Sequence, residues 1–196
     1  MFEDFMPYLR QHLPMLTAEQ IELIRSASVV RKVRRKQRLL QAGEVCQYKM
    51  FVIRGLLRTY HITDAGHEYA MKFTAEHGFL TDPESYVHQT PSKLCIDALE
   101  PSDVLLWNHD DFENLRIAIP ELNALSEHMI THSNIETQKR ILLNISSTPE
   151  ERYLNFMTTY PDIFRRVPLH MVASYLGVSR ETLTRIRQGL LVAAKG

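Results

Sequence analysis

The side chains with the most legible chemistry lie near one end of the chain: Arg180, Glu181, Thr184, Arg185 and Gln188. A guanidinium can donate two parallel hydrogen bonds to the edge of a guanine, and a carboxylate can accept one from a cytosine amino group. Wound as a helix at about 100° per residue, these positions share one face. Thr182, Arg187 and His170 are candidate phosphate contacts, and Ser179, at the start of the helix, completes the candidate DNA-binding set. The plain alternative is a solvated helix face, with Glu181 and Arg185 paired one turn apart.

Such a face must be held proud of a compact support, and the flanking residues supply one. Pro168 opens a first helix whose inner face carries Val172, Ala173 and Leu176. The small Ala173 lets a second helix cross closely. Gly177 tolerates the positive φ of a tight turn. Val178 plugs the turn, Ser179 caps the next helix, and Leu183, Ile186 and Leu190 face inward. This spacing predicts a helix-turn-helix over Leu169–Leu190. The chain has 23 basic and 23 acidic residues and no formal net charge, yet Arg165, Arg166, Arg180, Arg185, Arg187 and Lys195 share the C-terminal stretch with Glu181 as the one acid. Phosphate attraction is screened beyond about 8–10 Å, so the local patch outweighs the global sum.

The rest of the chain divides by periodicity. Thr17-Ala-Glu-Gln20 is a capping box that starts a helix, and Pro14 separates it from a shorter one before it. Val29–Val33, Met50–Ile53, Leu56–Ile62, Tyr69–Phe73, Leu94–Ala98 and Val104–Trp107 predict strands, with turn signals at Gly43, Gly55, Gly66 and Gly78. Spacing of about ten residues between turns suits an antiparallel roll. A short helix over Asp111–Ile117 ends before Pro120. A long one then runs over Glu121–Asn144, where Leu122, Leu125, Met129 and His132 form a narrow stripe and a candidate dimer seam. Ser146-Ser147 marks a hinge, and Thr148-Pro-Glu-Glu151 a strong helix start.

Several function classes find no support. Cys46 and Cys95 lack metal-ligand spacing and read as buried thiols; two cysteines cannot supply the four thiolates of an iron–sulfur cluster. His61, His67, Glu68 and His77 do not have the His-x-His spacing of a cupin-type metal site, and His128 with His132 reads as a pair of seam or surface histidines. No nucleophile elbow, phosphate loop or dinucleotide fingerprint occurs, so an enzyme is not expected. No apolar run approaches the roughly 20 residues that span a bilayer, and the first residues lack the features of a signal peptide, so a cytoplasmic protein without a membrane partner is expected. The basic run Arg31–Lys36 with Arg38 reads as a solvated face of the roll.

Gly-Val-Ser-Arg-Glu-Thr-Leu-Thr-Arg at 177–185 resembles the recognition region of the Crp/Fnr family of bacterial transcription regulators. The resemblance extends over nearly the whole chain, because that family places a cyclic-nucleotide-binding-like β-roll before a long dimerisation helix and a C-terminal helix-turn-helix. It implies an α+β fold divided into a sensor domain at 1–109, a linker and dimerisation helix at 110–146, and a DNA-binding domain at 147–196. It implies base reading by Arg180, Glu181 and Arg185, with double-stranded DNA and a second copy of the chain as partners and RNA polymerase as a further candidate. Two departures stand out. Where cyclic-AMP-binding members carry Gly-Glu and then Arg-Ser/Thr-Ala, this chain reads Gly78-Phe79-Leu80 and Pro91-Ser92-Lys93-Leu94, so no cyclic nucleotide and no cofactor is expected. The five residues Val192–Gly196 are too few for the two-stranded wing common in the family. An effector pocket lined by Tyr69, Met71, Phe73, Phe79 and Lys93 is a further candidate, against the reading of these residues as core. The rival functions are a small-molecule sensor without DNA output and a cupin-like metal protein.

Overall fold

A computed structural model describes residues 2–193. Two short helices, α1 (Met6–His12) and α2 (Ala18–Ser26), precede eight strands: β1 (Ser28–Val33), β2 (Arg38–Leu40), β3 (Tyr48–Arg54), β4 (Leu57–Ile62), β5 (Glu68–Thr74), β6 (Phe79–Leu80), β7 (Leu94–Ala98) and β8 (Ser102–Asn108). A short helix, α3 (Pro83–His88), interrupts them. Five helices follow: α4 (His109–Ala118), α5 (Pro120–Ser146), α6 (Pro149–Thr159), α7 (Pro161–Arg166) and α8 (Leu169–Leu176), and then a last one, α9 (Arg180–Ala193). The chain is thus α+β, with an antiparallel roll, a long helix and a helical C-terminal unit, as expected. The expectation of a missing wing falls partly on residues 194–196, which lie outside the described residues.

The roll is two four-stranded antiparallel sheets, ordered β1-β8-β3-β6 and β2-β7-β4-β5. Strand side chains alternate between faces, and here both faces of the central strands are covered. Along β3 and β8, Met50, Val52, Val104 and Leu106 point between the sheets. Phe51, Leu105 and Trp107 point the other way, into a cluster with Phe5, Leu9, Ile24, Phe112, Leu115 and Leu122. This two-sided burial explains the unbroken apolar runs of these strands. The Trp107 indole N–H donates to the Ile24 carbonyl at 3.1 Å, satisfying the one polar atom of that ring. Cys46 and Cys95 are buried free thiols.

Polar starts define the helices. Thr17 and Gln20 form the capping box of α2, and Thr148 and Glu151 that of α6. β2, β6, α3 and α7 had no clear sequence signal: the first two are three and two residues long, and the helices six each.

The long helix α5 corrects one expectation. Leu122 is buried and Leu125 packs beside it against α1, α2 and α4, while the Tyr8 hydroxyl reaches the Met129 sulfur at 3.9 Å. The stripe predicted as a dimer seam is therefore covered mostly by the chain's own N-terminal helices; His132 lies exposed at its flank. A different stripe is bare. Ala124, His128, Thr131, Ile135, Gln138, Leu142 and Ile145 alternate by four and three residues, and all are exposed. Ile135, Leu142 and Ile145 are 44%, 64% and 80% exposed.

Candidate nucleic-acid interface

Helix α8 ends as the residue types require. Gly177 adopts φ +67° and ψ 35°, the left-handed region that favours glycine. Its N–H donates to the Ser174 carbonyl at 3.2 Å, and that of Val178 to the Ala173 carbonyl at 3.0 Å. The Ser179 hydroxyl oxygen then accepts the Thr182 N–H at 3.1 Å, capping α9. Between the two helices lie Val172 and Leu183, each 0% exposed, with Ala173 at 2% and Leu176 at 5%. Full burial of an aliphatic side chain such as Leu183 contributes about 1.5–3 kcal/mol. Ile186 and Leu190 extend this side.

The opposite side of α9 carries Arg180, Glu181, Thr184, Arg185 and Gln188, all exposed. They span roughly 140° of arc at 3.6 residues per turn. The Glu181 carboxyl is held below its usual range by its own backbone N–H and by the Ser179 hydroxyl, so it is ionised and able to accept at neutral pH. The Thr184 hydroxyl donates to the Arg180 carbonyl at 2.9 Å.

The structure separates the remaining candidates. Thr182 is drawn into the cap, accepting from the Ser179 hydroxyl at 3.0 Å. Arg187 is exposed at the edge of that arc, beside Arg180. His170 is exposed near the start of α8. Arg166, counted in the C-terminal basic patch, is consumed by acids of the roll: it donates to Glu76 at 2.8 and 2.9 Å and pairs with Glu100 at 2.5 Å. Arg165 pairs on the surface with Asp162 at 3.4 Å. The basic run lies where expected, on the exposed β1 and the turn after it.

The effector pocket expected from Tyr69, Met71, Phe73, Phe79 and Lys93 is not assembled. Tyr69 and Met71 are 50% and 44% exposed, because β5 is an edge strand. Phe73 packs against Phe156 and Tyr175 of the C-terminal helices. Phe79 packs on the other sheet, against Phe51 and Trp107. Lys93 lies on the surface, 3.7 Å from Glu84. Nor do the histidines converge: a His61 ring nitrogen meets the Lys93 carbonyl at 3.1 Å, and Glu68 accepts from Arg58 at 2.7 Å. Among the described residues no group of three or more His, Cys, Asp or Glu side chains is placed to hold a metal.

The sequence reading missed the docking of the C-terminal helices onto the roll. The Ser174 hydroxyl accepts the Ala70 N–H and donates to the Glu68 carbonyl, each at 2.9 Å. Arg140 reaches from α5 to the carbonyls of Met71 and Tyr175 and lies 4.0 Å from the Tyr175 ring centroid. Leu56, Ala70 and Phe73 share one apolar cluster with Phe156, Val172 and Leu183. The exposed edge of β5, with its unpaired backbone groups, is thereby covered.

Comparison with known proteins agrees with this layout. Residues 30–117 match the family model for the cyclic nucleotide-binding domain. The chain is 24% identical over 185 residues to the transcriptional activator protein FnrA of Stutzerimonas stutzeri, a match covering 85% of this chain and 73% of that protein. It is 25% identical over 167 residues to the transcriptional activator protein Anr of Pseudomonas aeruginosa, covering 75% of this chain and 66% of the relative. The fold superposes on FixK2 from Bradyrhizobium japonicum with a TM-score of 0.75 at 16% identity, covering 85% of this chain and 86% of that one.

Proposed function

We propose that the chain is a DNA-binding transcription regulator of the Crp/Fnr kind, to whose members it is similar, and that it binds a near-palindromic operator as a homodimer through α9. The observation that carries this reading is the arc of Arg180, Glu181, Thr184, Arg185 and Gln188, exposed on a helix whose other side is locked to α8 by Leu183. Arg180 and Arg185 read guanine edges, Glu181 accepts from cytosine, and Ser179 and His170 sit near phosphates. The DNA-binding unit is residues 147–196, the sensor unit 1–109 and the connecting segment 110–146.

The second copy pairs along the bare stripe of α5, from Ala124 to Ile145. Its four-and-three spacing keeps one seam facing a partner helix over the length of the coil. Pairing there sets two copies of α9 about one helical turn of DNA apart. The protein works in the cytoplasm, without catalysis, and its output reaches RNA polymerase.

Control by cyclic AMP is disfavoured by the roll. Asp82, 4% exposed, stands at the start of α3, and its carboxylate accepts the Ser92 hydroxyl at 2.6 Å. A phosphate brought to that spot meets a buried carboxyl group rather than a guanidinium.

Selection of bound sequences from random duplex DNA tests the proposal. A two-fold symmetric motif with half-sites about one turn apart is expected; an asymmetric motif, or none, overturns it.

A further inference from the structure

A cavity of about 290 Å³ opens where α5, α6 and α8 meet. Its walls include Lys139 and Arg140 of α5, Arg152 and Phe156 of α6, Tyr160 just after α6, and Tyr175 of α8. Two properties set it apart from a packing gap. The first is charge. Three cations line it against one carboxylate, Glu136, which already pairs with Lys139 at 2.9 Å and accepts the Tyr160 hydroxyl at 3.4 Å. The second is an unmet donor. Arg152 gives one guanidinium N–H to the Leu176 carbonyl at 2.9 Å, while its Nε is buried and has no acceptor among the described residues. A buried charged donor left without a partner favours an anionic acceptor brought to this guanidinium.

The walls also select what carries the anion. Phe156 lies 5.1 Å from Tyr175 and 5.6 Å from Tyr160 between ring centroids, giving an apolar aromatic side. Arg140 is held in place by its contacts to Met71, Tyr175 and the Tyr175 ring, so that wall is fixed before any ligand arrives. On α5 the lining residues Glu136, Arg140 and Leu143 lie roughly 130° around the helix from the bare stripe and Lys139 about 70°, at 3.6 residues per turn. A second copy seated on that stripe leaves the cavity open.

We propose that this cavity is a binding site for a small organic acid: a carboxylate on an aromatic body, its oxygens on Arg152 and its ring against the wall formed by Phe156, Tyr160 and Tyr175. The site joins the long helix to the helix-turn-helix, so an occupant touches both. The binding itself does not depend on the DNA reading, and the test below involves no DNA.

The probe is 2-naphthoate, titrated calorimetrically into the full chain, with 2-naphthamide as the uncharged control. One naphthoate per chain is expected, with a dissociation constant below about 1 mM. The amide is expected to bind about tenfold more weakly or worse, and Arg152→Gln to cost naphthoate a similar factor, as loss of a charge-assisted hydrogen bond implies. Asn155 is exposed at the rim, so Asn155→Trp blocks the mouth without disturbing the core and is expected to abolish binding even if Arg152→Gln misfolds. Absence of naphthoate binding, equal binding of acid and amide, or unchanged binding in the folded Asn155→Trp variant overturns the proposal.

Discussion

Arg166 holds Glu76 through two hydrogen bonds of 2.8 and 2.9 Å, and so fastens α7 to the turns of the roll. The same carboxylate accepts the Gly55 N–H at 2.8 Å. Burial by itself raises the Glu76 carboxyl, but Arg166 and the backbone N–H groups of Glu76 and Gly55 outweigh it and hold it at about 2. Its stabilising contribution is complete above the unfolded value of 4.5 and is lost as pH falls towards about 2. Glu76→Gln is expected to lower stability at pH 7 by about 1–2 kcal/mol, after allowing for solvent screening. The difference in Tm between wild type and variant should shrink between pH 5 and pH 2. An undiminished difference at low pH contradicts the assignment.

Two glycines are expected to fail differently. At Gly177 an added Cβ has room, its nearest neighbour being Arg152 Nη1 at 3.8 Å, so Gly177→Ala carries only the penalty of positive φ, about 1–2 kcal/mol. At Gly55, with φ +108°, the added atom falls 2.1 Å from Ser102 Oγ. Gly55→Ala adds overpacking to strain and is expected to cost about 2–4 kcal/mol. Urea midpoints on the two variants give the comparison; equal shifts refute it.

Lys49 is partly buried, and its ammonium is pushed down to about 8 by desolvation and then by repulsion from Lys72 and Arg116. The folded state therefore resists the proton, and stability should rise as pH climbs from about 8 towards 10.5. Lys49→Met is expected to stabilise the chain at pH 7 by about 1–3 kcal/mol and to flatten that rise. Thermal melts at pH 7, 8.5 and 10 check both parts.

If two copies pair along the bare stripe of α5, as proposed, dimerisation and folding can be separated by mutation. Leu142→Glu is expected to weaken self-association at least tenfold, about 1.4 kcal/mol or more, with the monomer's Tm nearly unchanged. Met129→Ala should do the reverse, because Met129 meets Tyr8 within its own chain. Sedimentation equilibrium with parallel melts distinguishes them. A dimer lost with Met129 and kept with Leu142→Glu would return the seam to the residues first expected.

What was legible in the sequence follows from how local each signal is. Ala173, Gly177, Ser179 and Leu183 constrain one another within about three helical turns, so spacing alone outlined the helix-turn-helix. Two-sided burial in β3 and β8 left apolar runs that read as strands. Leu122, Leu125 and Met129 read equally as a seam or as intrachain core. Only the tertiary position of α1, unknowable from periodicity, decides between the two. The same holds for Phe73 and Phe79: both are apolar strand residues, yet they sit on different sheets facing different helices. Arg140, Arg152 and Ser174 gave no local signal, because their partners are 24 to 106 residues away in the chain.

The central claim is that the exposed arc of α9 reads base edges. Its most direct test is the affinity of Arg180→Ala and Arg185→Ala for the selected duplex, measured by fluorescence anisotropy at fixed salt. Each substitution is expected to cost about 1–3 kcal/mol and to relax the base preference at one position of the half-site. Affinity and preference unchanged in both variants would contradict the claim.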